Sequence, residues 1–327
     1  MIKLFLHNSI GQILVVAAAV VVLWFRAFVV PVAMPVEYCY SPLYDLLYGW
    51  LSSMPRLASG IALVSVVAGG AYLNRMLTDH KITKSHSLMP LFLYVLVMSW
   101  DASMLTVTPM LLVSLLLLGA CSNLLSDGTT QLSFERNFNA SFFIGLMVLC
   151  HLPAIGYVLP FVFVFVTYKM YRWRHFIVAI LGLVAPLIVL LTYNFLTDKI
   201  EYCLILMRHD LLPEGIGWVG TTLGSVIPTV VYVLFLLAAV VKQIGSLGDR
   251  TVGQRINTSI LCLPLLASVV MSIYAPDRNV DIGSTAMTFA FVGSRFFVAE
   301  RKRQWISEAL VWIFIATILV NKCLKGS

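Results

Sequence analysis

The chain has 327 residues, of which 60% are hydrophobic and only 11% charged, whereas soluble domains carry about 25% charged residues. A soluble core cannot hide that much apolar surface, so composition excludes an ordinary soluble domain and leaves a helical membrane protein. The net charge of +7 is scattered through short loops, which excludes a nucleic-acid binder and is how a membrane protein sets its orientation.

Helices this apolar have no polar face to read, so spans are taken from run length, and loops from charges, Pro and Gly. The first run, Gly11–Ala33, is too long for a signal-peptide core and no small-residue cleavage site follows it, so it reads as a span. Leu57–Asn74, Leu88–Trp100 and Met104–Leu124 follow, then a pair of short spans, Asn139–Pro153 and Gly156–Tyr168. Phe176–Leu196, Thr221–Val241, Asn257–Tyr274, Ser284–Ala299 and Ile306–Asn321 complete the set. The fold class expected is therefore an all-α polytopic bundle of about eleven crossings, several of them short of the roughly 20 residues a hydrocarbon core needs.

Basic residues arbitrate the one ambiguous region. With a cytoplasmic N-terminus, two crossings in Asn139–Tyr168 put the loop of Lys169, Arg172 and Arg174 inside, with Arg75, Lys81, Arg136, Lys242 and Arg255. One crossing would put that loop outside. The same topology sends Glu37, Asp45, Asp101, Asp198, Glu201 and Asp210 to the outer side. Insertion does not demand this, so it reads either as a solvated surface or as a polar site facing outward.

Two outer segments are longer than turns. From Ser41 to Ser53, a Ser-Pro start and interspersed Tyr and Trp predict a helix lying along the interface. Ile200 to Leu212 is apolar with charges interleaved and reads the same way. Internal repeats, low-complexity tracts and linkers are absent from the sequence, so residues 1–327 are taken as a single integral membrane domain.

The familiar catalytic signatures (a Walker lysine loop, HExxH, GxSxG) do not occur. The six cysteines have no metal spacing and read as packing residues; a bridge between Cys39 and Cys203, both in outer segments, is left open. His151, before Pro153, reads as bend packing or as a proton relay. Arg26 lies inside the first span, where a charge must snorkel, pair with Glu37 or Asp101, or bind an anionic lipid headgroup. Glu37 and Asp101 each follow the outer end of a span, and two such carboxylates have the chemistry to share acid/base work or hold a divalent metal ion. Arg208 and His209 on the second amphipathic segment would supply charge for a phosphate.

This layout resembles the GT-C superfamily of polytopic glycosyltransferases, which use lipid-linked sugar donors. Val36-Glu37-Tyr38 with Ser41-Pro42-Leu43-Tyr44 looks like the family's first outer loop, and Tyr72-Leu73-Asn74-Arg75 like the inner end of its second span. Gly145 to Pro153, running on to Tyr168-Lys169-Met170-Tyr171-Arg172-Trp173-Arg174, looks like its short helical pair and basic inner loop. The resemblance covers residues 11–212, with helices 221–321 beyond it. It implies Glu37 as catalytic base, Asp101 as the acid of the second outer loop, and a polyprenyl-phosphate-linked sugar as donor at the outer face of a bacterial inner membrane; Arg26, Asp45, Arg208 and His209 are the candidate substrate-binding residues beside them. The chain departs from the family in having one Glu rather than an acidic pair after the first span, and in lacking the large C-terminal outer domain of many members. It also resembles polytopic inner-membrane proteins of Bacteroidetes that keep such a fold without its activity. The alternatives are a non-catalytic membrane subunit or assembly factor with a membrane-protein partner, and a lipid or solute transporter with helices broken at Pro153, Pro186, Pro228 and Pro264.

Overall fold

The computed structural model describes residues 9–36, 41–83, 87–125, 132–168, 170, 172–211, 223–245, 251–268, 282–299 and 312–318. Every regular element among them is helical. In chain order these are α1 (Ser9–Val29), α2 (Pro42–Leu51), α3 (Pro55–Asp79), α4 (Met89–Met98), α5 (Pro109–Leu124), α6 (Phe134–Cys150), α7 (Val158–Thr167), α8 (Trp173–Leu196), α9 (Ile200–Leu211), α10 (Leu223–Gly245), α11 (Val252–Cys262) and α12 (Ile282–Ala299). Further helical stretches cover residues 264–268 and 312–318. Helices α1, α3 and α8 are long and apolar enough to cross a membrane, and their exposed Val, Leu, Ile and Phe side chains suit a hydrocarbon surrounding. The molecule is an all-helical membrane protein.

Local chemistry sets where helices start and stop. Pro42, Pro55 and Pro109 open α2, α3 and α5, because a first-turn residue has no intrahelical use for the N–H that proline lacks. Thr108 caps α5, its side chain accepting from the Leu111 amide at 3.2 Å. The expected span from Met104 therefore begins later: Ala102–Leu105 form a 3-10 turn and the α-helix starts only at Pro109. Lys81 and Asp198 follow α3 and α8 with φ of 52° and 53°. These left-handed residues let the next amides, of Ile82 and Lys199, turn back to Leu77 and Asn194 carbonyls, which ends each helix.

Of the four prolines offered as breaks, two behave so. The chain leaves helical geometry at His151 (φ −161°, ψ 109°) ahead of Pro153, and α11 is interrupted at Leu263, with a new helical stretch starting at Pro264. Pro186 and Pro228 lie within α8 and α10 without ending them.

Long-range hydrogen bonds order the helices along two ends. Gln12 Oε1 accepts from the Leu88 amide at 2.8 Å, and Trp24 Nε1 donates to Ser99 Oγ at 2.9 Å. Helix α1 therefore runs alongside α4 in the same direction and holds both of its ends. The Tyr94 hydroxyl on α4 meets Ser114 on α5 at 3.1 Å, placing α5 alongside in return. At the C-terminus of α5, Arg136 donates from Nε to the Asn123 carbonyl at 3.0 Å and from Nη2 to that of Leu125, while the Tyr168 hydroxyl donates to Leu124. Both ends of the 134–168 segment thus meet the same end of α5, so the chain reverses at His151. Asn137 Nδ2 then donates to the His175 carbonyl at 2.8 Å, and α8 climbs beside α6 in parallel.

The C-terminal helices follow the same axis. The Tyr157 hydroxyl donates to Ser284 O at the start of α12, and Lys242 near the end of α10 sits 4.3 Å over the Phe296 ring near the other end of α12. Gln254 at the start of α11 donates to Lys81 O at 3.3 Å.

One end of the bundle therefore gathers Arg75, Lys81, Arg136, Arg172, Arg174, Lys242 and Arg255, with Asp79 and Glu135 among them. The other gathers Asp45, Asp101, Asp198 and Glu201 with Arg26, Arg56, Lys199 and Arg208. Helix α4 fills the middle: all ten of its residues are buried. At a rise of 1.5 Å per residue it is about 15 Å long, half the hydrocarbon thickness.

Arg136 is the cap for α5, whose last carbonyls have no intrahelical donor. Arg136→Met should cost about 1–3 kcal/mol, the usual penalty for carbonyls left without donors at a buried end, with partial recovery in Arg136→Lys. Thermal unfolding of the detergent-solubilised protein measures it; identical midpoints for wild type and Arg136→Met would remove the cap from the account.

Candidate functional site

The segment 99–108 joins α4 to α5 at the acid-bearing end and is held from several sides. Ser99, fully buried, accepts the Trp24 indole N–H. Trp100 lies against Tyr232 of α10 (ring centroids 5.6 Å apart) and Phe314 (5.7 Å). Tyr44, on α2 and fully buried, donates to Pro35 O at 2.6 Å and reaches Val107 O at 3.4 Å. A turn anchored this way has few alternative conformations, which is what a preorganised site requires.

Asp101 sits in this turn, half-buried, just before Ala102–Leu105. The C-terminal part of α1, which carries Arg26, packs on that 3-10 turn. Arg26 is exposed and in the last turn of α1, because the helix ends at Val29 rather than running to Ala33. It is thus nearer the helix end than run length implies, and a short reach brings its guanidinium to headgroup level.

Asp45 is exposed on α2, with Ser41 Oγ 3.4 Å from its Oδ1. That helix rests on α3 and α6. Arg208 is exposed on α9, which packs against α8 and the 3-10 turn Leu152–Tyr157. The backbone of His209 lies in the same helix, while its side chain is outside the described residues, as are Glu37 and Cys39. Cys203 is a free thiol, buried at 1% exposure.

The structure therefore brings the Arg26 helix and the Asp101 turn together, ties the stretch leading to Glu37 to them through Tyr44, and places Arg208 on a helix with other neighbours. Trp24, Ser99 and Tyr44, which make these ties, carry no spacing signal; Tyr44 reads from sequence only as an interfacial aromatic.

No group of three or more His, Cys, Asp or Glu suited to a metal ion occurs among the described residues. The chemistry of the donors fits a divalent cation only if Glu37 joins Asp101. A small cavity of about 30 Å³ lies between α5, α6, α7 and α11, lined by Cys121, Leu124, Ile144, Phe161, Val164 and Ile260 among others. It is about the size needed for one water but has too few polar partners to hold one.

The class these features define is a helical membrane protein with one end of its bundle rich in Lys and Arg and a tethered turn carrying Asp101 at the other. Comparison with models of known families, with curated proteins and with solved structures finds no match to the chain.

Proposed function

We propose that the chain crosses the bacterial inner membrane about eleven times, with the Arg- and Lys-rich end in the cytoplasm, and that it works at the outer face as a GT-C-like transferase taking a sugar from a polyprenyl-phosphate-linked donor. The observation that carries this reading is the tethering of the Asp101 turn to α1 and α2. In this reading Glu37 removes the proton from an acceptor hydroxyl, the freed oxygen attacks the anomeric carbon, and the sugar–phosphate bond breaks with its electron pair leaving on the polyprenyl phosphate. Arg26, at headgroup level, offsets the charge gathering on that phosphate. Asp101 orients the acceptor, or holds a divalent cation with Glu37; Asp45, Arg208 and His209 contact the donor or acceptor further out. Loss of transfer in Glu37→Gln at normal protein level tests the chemistry.

The topology has its own test. In a Cys-free background, Arg172→Cys should stay unmodified by an impermeant maleimide until the membrane is opened. Labelling of intact cells would reverse the assignment of the loop and the two-crossing reading of residues 139–168.

A second reading is a non-catalytic subunit or assembly factor that contacts another membrane protein, and the burial of helix α4 on every side among the described residues favours it.

A further inference from the structure

We infer that Tyr44 is a positioning residue for the proposed transfer site: through one buried hydroxyl it sets where the stretch leading to Glu37 lies relative to the Asp101 turn. This rests on the transferase reading for its functional consequence, though the tether itself does not.

The argument starts from what Tyr44 could do otherwise. On an interfacial helix a tyrosine ordinarily points its ring to the membrane surface and its hydroxyl to water. Leu46 and Trp50 of the same helix are 74% and 71% exposed. Tyr44 instead is fully buried, with its ring 6.2 Å from that of Tyr48. Its hydroxyl has a single proton, which goes to Pro35 O at 2.6 Å; Val107 O, at 3.4 Å, is the longer arm of the same contact.

Those two carbonyls belong to different loops. Pro35 precedes Glu37 by two positions in the chain, and Val107 closes the segment that begins after α4 and contains Asp101. Neither stretch has a regular partner for these carbonyls: residues 31–36 form no helix, and Val107 lies between a 3-10 turn and the first residue of α5. One hydroxyl therefore lies between two backbone carbonyls, the half-buried one of Pro35 and the buried one of Val107, and links the two loops. An apolar ring of the same shape would keep the packing but release both loops.

Catalysis by a carboxylate depends on its distance from the reacting atoms, and about 1 Å of misplacement can cost about 10²-fold in rate. Tyr44→Phe removes only the hydroxyl, so it separates positioning from packing. Tyr168→Phe is the matched comparison, because it deletes a buried tyrosine hydrogen bond at the opposite end, to Leu124 O, without touching Pro35, Val107 or the Asp101 turn.

The experiment uses the full chain in lipid nanodiscs, in a Cys-free background, with spin labels on Val36→Cys and Ser103→Cys, both exposed positions. Pulsed dipolar spectroscopy reads the distance between the two loops, and polyprenyl-linked and envelope glycans are profiled in cells at equal protein level. Tyr44→Phe should broaden the distance distribution while lowering the unfolding midpoint no more than Tyr168→Phe does, and glycan product should fall about 10-fold or more, within the range that a misplaced catalytic group produces. Tyr168→Phe should lower the midpoint without that broadening.

A distribution in Tyr44→Phe as narrow as wild type overturns the tether. A broad distribution with unchanged product, while Glu37→Gln loses product, overturns the positioning role but leaves the transferase reading intact. Unchanged product in both Glu37→Gln and Asp101→Asn removes the transferase reading and, with it, any role of Tyr44 in transfer.

Discussion

Gly182→Ala is expected to destabilise the bundle by about 1–3 kcal/mol, the range for forcing a methyl group into a filled interface. Helices α6 and α8 run parallel and touch more closely than any other pair described. A Cβ at Gly182 would overlap Ser141 Oγ and lie 2.6 Å from the Phe138 carbonyl oxygen; one at Gly145 would lie 2.5 Å from Leu183 O and 2.6 Å from the Pro186 ring. Ser141 can rotate away, but the carbonyls of Phe138 and Leu183 are backbone and move only if the helices part. In a bilayer, association gains little from hiding apolar surface, because lipid is as apolar as the protein, so close van der Waals contact is what such a pair has to hold it.

Gly60 on α3 provides the control. Nothing lies within 4 Å of the Cβ it would gain, so Gly60→Ala should be neutral or mildly stabilising by its helix propensity, up to about 1 kcal/mol. Unfolding midpoints in a denaturing detergent titration compare the three variants. If Gly182→Ala and Gly145→Ala unfold with Gly60→Ala and wild type, the tight α6–α8 contact is not what holds these helices.

Glu37→Gln is expected to reduce glycan transfer by about 10²–10⁴-fold, the usual contribution of a general base, with folding intact. The amide keeps the shape of the carboxylate and most of its hydrogen bonding but cannot take up the acceptor's proton. Asp101→Asn should fall comparably if the two acids act together, and the wild type should then respond to added Mg²⁺ or Mn²⁺. The readout is the profile of polyprenyl-linked and cell-envelope glycans in strains carrying each variant at wild-type protein level, beside a strain deleted for the gene. If both variants match wild type while the deletion does not, the protein acts without this chemistry, and the subunit reading takes its place.

The sequence carried most of the secondary structure. Apolar run length located α1, α3 and α8, and Ser41-Pro42 and Thr108-Pro109 marked helix starts, because capping and the missing proline N–H act within a few residues. The gathering of Arg75, Lys81, Arg136, Arg172 and Arg174 at one end was also legible, since Lys and Arg in a membrane protein are arranged by loop. Residues 89–98 were not legible in the same way: ten apolar side chains read alike whether they face lipid or protein, and only packing from all sides made α4 a buried core helix. The start of α5 was misplaced for a related reason, since Met104 and Leu105 are apolar enough to extend a span yet fold into a 3-10 turn held by Trp100 and Val107. The candidate site divides in the same way. Glu37, Asp101 and Arg26 stood out as charges beside apolar runs, a local signal. That Arg26's helix meets the Asp101 turn, and that Trp24, Ser99 and Tyr44 fasten it, depends on contacts 75 and 63 residues apart. No periodicity encodes such distances; only the tertiary structure, by bringing the ends of α1, α2 and α4 together, decides them.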